Sequence, residues 1–129
     1  MPVAPPRFWW RVVGYVWVDV TVKNPATNKS ALLKALVDIG ITYTVIPRKV
    51  FEELQLPLRG KRKVRTARGI IELDVCEGVV ETMGKSTPTL MLVSDDLDFA
   101  LIGITTLELL GFEVDPVTRE LRESIALLL

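Results

Sequence analysis

Histidine is absent from this 129-residue sequence, and cysteine occurs once, at Cys76. The first absence removes Ser-His-Asp and Cys-His nucleophile systems, the two-histidine zinc proteases, and histidine general acid–base chemistry. The second excludes an internal disulfide framework and an all-cysteine zinc site. It also gives no sign of an oxidising compartment, so a cytoplasmic location is expected. A surplus of charge is missing too: Lys plus Arg and Asp plus Glu number 16 each, so no global field draws the chain to nucleic acid or to an anionic membrane. Nor is there a run of the roughly 20 apolar residues that a membrane-spanning helix needs. The apolar stretch from Met1 to Val22 is broken by Arg7, Arg11 and Asp19, and it reads as part of a soluble protein. An enzyme built from what remains, without a cofactor, must look first to carboxylates for its acid and base, and then to Lys or Tyr.

What is present suits a folded domain. Hydrophobic residues make up 49% and charged residues 25% of the chain, and the length fits one core over residues 1–129. The pattern from Arg11 to Lys23, dense in Val, Tyr and Trp, predicts a long strand. Asn24 to Asn28 has turn chemistry, and Ser30 to Val37 predicts a returning strand that runs straight into Asp38-Ile39-Gly40. Thr42 to Ile46 is a short β-rich run; Pro47 suits the first turn of a helix carrying Val50, Phe51 and Leu54, which Pro57 stops. Lys61 to Thr66 and Ile70 to Val80 read as two strands around Ala67-Arg68-Gly69, and after Met83-Gly84-Lys85 a strand covers Thr89 to Val93. Phe99 to Ile102 is a buried-type strand ending at Gly103. Thr105 and Glu108 have capping-box spacing for a following helix that Gly111 ends. Phe112 to Val114 and Thr118 to Leu121 predict a last hairpin about Asp115-Pro116. Apolar strand, special turn and short helix thus occur twice, at Leu36 to Leu54 and at Phe99 to Leu110.

Asp-x-Gly alone is ordinary turn chemistry. Its setting is more specific. Ala35-Leu36-Val37-Asp38-Ile39-Gly40 is followed by an apolar strand and a helix, then by the glycine-containing hairpin at Ala67-Arg68-Gly69, and later by Leu101-Ile102-Gly103 with another helix. In this order, from about Val16 to Leu121, the features resemble the retropepsin-like aspartic proteases, and the stretch from Leu107 to Pro116 is similar to small cellular members. The resemblance implies a mainly β fold: a single-lobe, closed β barrel with two short helices, acting as a homodimer. It implies Asp38 as the catalytic residue, Ile39 and Gly40 in the active-site loop, and Ala67, Arg68 and Gly69 as the flap over substrate. Leu101, Ile102 and Gly103 would form the second structural turn. The partners are then a second copy of the chain and a peptide or protein substrate, with no metal and no cofactor. Because one chain brings one such carboxylate, a twofold axis would set two copies of Asp38 face to face, sharing a proton. The tail from Ile125 to Leu129 is a candidate strand between subunits.

Two residues depart from the family's pattern. Ile39 stands where the family has threonine or serine, whose hydroxyl makes hydrogen bonds across the dimer axis; Ile41 replaces a usual alanine or serine. Two functions follow: an aspartic endopeptidase, or a protease-like peptide-binding or scaffold dimer in which Ile39 has ended catalysis.

The remaining signals have plainer readings. The basic run from Arg59 to Arg65 lacks aromatic interleaving and reads as a solvated loop and edge strand, making nucleic-acid binding a minor expectation. Asp95-Asp96-Leu97-Asp98 lacks the glycine and distant glutamate of a calcium loop and reads as a polar turn. Trp9, Trp10 and Trp17 read as buried or dimer-facing aromatics, and Cys76 as an inert core thiol.

Overall fold

The alternation of Val, Trp and Thr in the first strand and the apolar end of the second are realised as an antiparallel hairpin. It joins β1 (Val16–Lys23) to β2 (Ser30–Val37), in register from Val16 opposite Val37 to Lys23 opposite Ser30. The computed structural model describes residues 16–126 and 128, so the expected strand residues 11–15, Trp9, Trp10 and part of the tail lie outside the described residues. Asn24 fixes the turn: its Oδ1 accepts from Ala26 N–H at 3.0 Å, while its Nδ2 donates to the carbonyls of Leu54 at 2.9 Å and Gln55 at 3.2 Å. A buried asparagine therefore caps a helix that lies elsewhere in sequence.

That helix, α1 (Arg48–Leu54), follows β3 (Thr44–Pro47). Pro47 is not in its first turn. It is held extended (ψ 146°) as the last residue of β3, opposite Ser94, and occupies the cap position instead. The helix ends before Pro57 because Gln55 turns left-handed (φ 52°) and donates to the Glu52 and Phe51 carbonyls. The next strands are longer than predicted: β4 (Leu58–Thr66), β5 (Gly69–Thr82) and β6 (Lys85–Ser94). Their polar ends are stabilised by pairing with a neighbour, which hydrophobic alternation does not record. β7 (Ala100–Ile102) leads into α2 (Ile104–Leu110). A small separate sheet pairs β8 (Phe112–Val114) with β9 (Leu121–Glu123). The last strand lies later than Thr118 because Asp115 collects Val117 and Thr118 N–H on Oδ1, drawing those residues into the turn.

Among the described residues, β1, β2, β7, β3, β6 and β5 run in that order and close into a barrel where Thr21–Lys23 of β1 meet Val79–Glu81 of β5. Most neighbours are antiparallel; β2 with β7 and β3 with β6 are parallel. β4 stands outside the ring, bonded to the outer half of β5. Val20, Val22, Ile46, Val80, Met91, Val93, Ile102 and Leu107 fill the interior. Gly78 on β5 lets neighbours pack closely, since a Cβ there would lie 2.9 Å from Met91 Cε and 3.2 Å from the Lys23 carbonyl oxygen, so that both would have to shift. No described helix is long and apolar enough to cross a membrane.

Cys76 sits wholly inside this barrel, and burial pushes its thiol up to about 12. Because the thiolate is the reactive form, the native chain at pH 8 should resist a thiol reagent such as an aromatic disulfide, and label fully once unfolded. Rapid native-state labelling would show that the barrel opens far more readily than its packing implies.

Candidate active site

β2 and β7 lie parallel, pairing Ala35 with Ala100, Leu36 with Leu101 and Val37 with Ile102. The next residues, Asp38 and Gly103, therefore emerge side by side. Asp38 N–H donates to the Ile102 carbonyl at 2.9 Å, continuing the pairing by one step. The Asp38 side chain turns back on its own loop, and Oδ1 accepts Gly40 N–H at 2.9 Å. With only 5% of its surface exposed, this carboxylate is held by the fold, and Oδ2 has no donor among the described residues.

The loop after Asp38 and the turn at Gly103 lock together through the backbone. Ile104 N–H donates to the Ile41 carbonyl at 2.9 Å, and Thr105 N–H to the Thr42 carbonyl at 3.1 Å. These carbonyls satisfy amide groups that every helix leaves open at its start. The expected capping box of Thr105 and Glu108 is accordingly not formed: Thr105 lies within α2, and Gly103 occupies the cap position without a side-chain bond. For the same reason Thr42 and Tyr43 bend rather than join β3. Gly103 has to be glycine for space, since a Cβ would lie 2.6 Å from the Thr42 carbonyl oxygen and from both carbonyl atoms of Tyr43.

Two threonines beneath this junction were not singled out from the sequence. Thr44 Oγ1 and Thr106 Oγ1 lie 2.6 Å apart, both fully buried, and Thr44 Oγ1 accepts Gly103 N–H at 3.2 Å. The only hint was polar residues in otherwise apolar inward positions.

Ala67 and Arg68 form the tip of the β4–β5 hairpin, with Thr66 opposite Gly69 and Gly69 at φ 112°. Thr66 Oγ1 crosses the tip to donate to the Gly69 carbonyl at 2.8 Å and accepts Arg68 N–H at 3.2 Å. At its root the hairpin is anchored by Arg48, whose guanidinium donates to Asp74 on β5 at 3.1 Å and also to Asp95. Lys61 adds a contact to Asp74 at 3.3 Å. The hydrogen bond from Arg48, then that from Lys61, holds the Asp74 carboxyl below its ordinary range, so the anchor persists into mildly acidic solution. Its stabilisation is lost only as pH falls through that lowered value. Asp95 thus belongs to a structural polar turn, completed by Asp96 and Leu97 N–H groups donating to Ser94 Oγ.

Between hairpin and barrel lies a cleft of about 400 Å³, walled by Ile41, Thr42 and Tyr43 of the Asp38 loop and by Arg62, Val64 and Leu73 of the hairpin. Asp38, Ile39 and Gly40 do not line it: Ile39 is 46% exposed, and Ile41 is half-buried in the cleft wall. Trp17 packs edge-to-face on Phe99 at 5.2 Å.

Solved structures share this architecture. EIAV protease complexed with the inhibitor HBY-793 superposes with a TM-score of 0.63 at 18% identity, over 78% of this chain and 92% of that one. A retropepsin-like aspartic protease from Rickettsia conorii gives 0.60 at 22% identity, over 89% and 83%. The retroviral protease-like domain of Ddi1 from Leishmania major gives 0.57 at 18%, over 84% and 87%. The chain has the retropepsin-like fold. No protein-family model and no curated protein matches its sequence. Within the retropepsin-like fold, Asp38 lies at the end of β2, the Ala67–Gly69 turn at the hairpin tip, and Leu101-Ile102-Gly103 at the junction with α2.

Proposed function

We propose that the chain is one subunit of a homodimeric aspartic endopeptidase in which two copies of Asp38 activate a water molecule. The observation that carries this reading is the buried carboxylate of Asp38, oriented by Gly40 N–H at the head of a loop whose following residues, Ile41 to Tyr43, wall a cleft against the β4–β5 hairpin. One Asp38, as carboxylate, takes a proton from water while its oxygen attacks the peptide carbonyl carbon. The other, protonated, gives its proton to the carbonyl oxygen, forming a gem-diol. The C–N bond then breaks as a proton passes to the amine nitrogen, leaving acid and amine products. The hairpin would exclude water and pair with an extended substrate. A reducing, cytoplasmic setting accords with the single buried thiol.

The half-exposed Ile39 supports a second reading, a peptide-binding dimer without turnover. It offers no donor or acceptor for cross-axis hydrogen bonds, each worth roughly 0.5–1.5 kcal/mol net. An apolar contact between the two copies would take their place.

Initial rates on a peptide mixture at acidic pH separate these readings. Hydrolysis blocked by a statine-type inhibitor, with activity per molecule rising with protein concentration, is expected of the endopeptidase. Tight binding of that inhibitor with no products would establish the second reading, and Ile39→Thr should then restore turnover. A chain that stays monomeric at high concentration would defeat both.

A further inference from the structure

We propose that Arg62 makes the cleft select peptides with an acidic side chain near the bond that is cut, an inference that rests on the peptide-cleft reading above. The cleft wall is chiefly apolar, with Ile41, Val45, Val64, Leu73, Leu92 and Leu101, and no carboxylate lines it. Its cations, Arg62 and Arg65, are both on the hairpin. Arg62 lies opposite Leu73, and Val64, two residues on, opposite Ile71, which places Arg62 and Val64 on one face of the hairpin. The Arg62 guanidinium carbon lies 5.1 Å from the centre of the Tyr43 ring, over its face, and Tyr43 belongs to the Asp38 loop.

Two cations line the cleft, Arg62 and Arg65, and neither has a carboxylate partner among the described residues, whereas Arg59 and Lys61 outside it pair with Glu77 and Asp74, each at 3.3 Å. The contact with Tyr43 of the Asp38 loop is what singles Arg62 out. A cation–π contact takes up no carboxylate, and the guanidinium N–H groups match an incoming carboxylate in a two-point fork. A glutamate would lay its methylenes along Val64 and Leu73 and present its carboxylate to Arg62. Because the whole chain is neutral, this attraction is local to the cleft and not a general affinity for anions.

The test uses the full chain and a pair of uncleavable statine-containing peptides differing only by Glu or Gln beside the isostere, with binding read by fluorescence anisotropy. Cleavable versions of the same pair are assayed in parallel. The wild type should favour the Glu peptide roughly tenfold or more in both Kd and kcat/KM. Arg62→Gln should abolish the preference, and Arg62→Glu should reverse it towards a Lys peptide. Arg59→Gln, which alters a paired cation outside the cleft, should preserve it. Equal binding of Glu and Gln peptides, with cleavage intact, would overturn the acidic preference and leave the endopeptidase standing. Glu-selective binding without cleavage would sustain the preference and remove the endopeptidase. Failure to bind any of the peptides would overturn both. Displacement of the Glu peptide by a single-stranded RNA oligonucleotide, with Arg62→Glu weakening the RNA, would reassign Arg62 to nucleic acid and overturn the proposal.

Discussion

Asp38→Asn should lower peptide hydrolysis by roughly a thousandfold or more while leaving the fold in place. A positioned acid or base contributes about 10²–10⁴-fold, and in a homodimer the substitution removes both members of the pair at once. Asparagine keeps the shape and an oxygen able to accept Gly40 N–H, the 2.9 Å bond that orients the native carboxylate. It cannot take a proton from water. The measurement is the initial rate on one cleavable peptide at acidic pH, with thermal melting beside it to show that the variant is folded. Equal rates in wild type and variant would place the chemistry elsewhere in the molecule.

Gly103→Ala should cost about 3 kcal/mol or more of stability and lower Tm by roughly 10 °C or more. Gly103 has φ −82°, open to any residue, so the penalty is entirely one of space. The added Cβ would lie 2.6 Å from main-chain atoms of Thr42 and Tyr43, which cannot rotate away like a side-chain tip. Relief requires the Asp38 loop to retreat from α2. That movement would weaken the bonds from Ile104 and Thr105 N–H and disturb the Thr44–Thr106 pair, leaving buried polar groups short of partners. Gly84→Ala is the natural comparison, for a Cβ there meets nothing within 4 Å and only its left-handed φ of 79° opposes the change. Similar melting temperatures for the two variants would mean that the Asp38 loop yields freely.

How far such features can be read from sequence depends on where their partners lie. Asp38, Gly40 and Gly103 were legible because each ends an apolar run at a residue of special chemistry, a local signal. The β2 strand was located to the residue for the same reason. The start of α2 was misread because Thr105 and Glu108 have the right local spacing, while the groups that satisfy the helix are carbonyls of Ile41 and Thr42, distant in the chain. No periodicity records a backbone carbonyl. The lengths of β4, β5 and β6 were underestimated because their outer residues are held by cross-strand bonds without apolar alternation. The Thr44–Thr106 contact and the contact of Arg62 with Tyr43 leave no local signal because each joins segments distant in sequence, the first across the barrel and the second between the hairpin and the Asp38 loop.

The barrel closes through β1 and β5, and β4 takes no part in the closure. Almost every residue of β4 is exposed, so lifting the hairpin uncovers little apolar surface. Two free-energy scales therefore coexist in one short chain: a small one for local opening of the hairpin, set by the Arg62–Tyr43 contact and the Arg48–Asp74 anchor, and the full unfolding free energy for the ring. The hairpin can admit and release an extended segment many times for each excursion of the barrel, and substitutions on it can alter access without spending the stability that holds Asp38 in place.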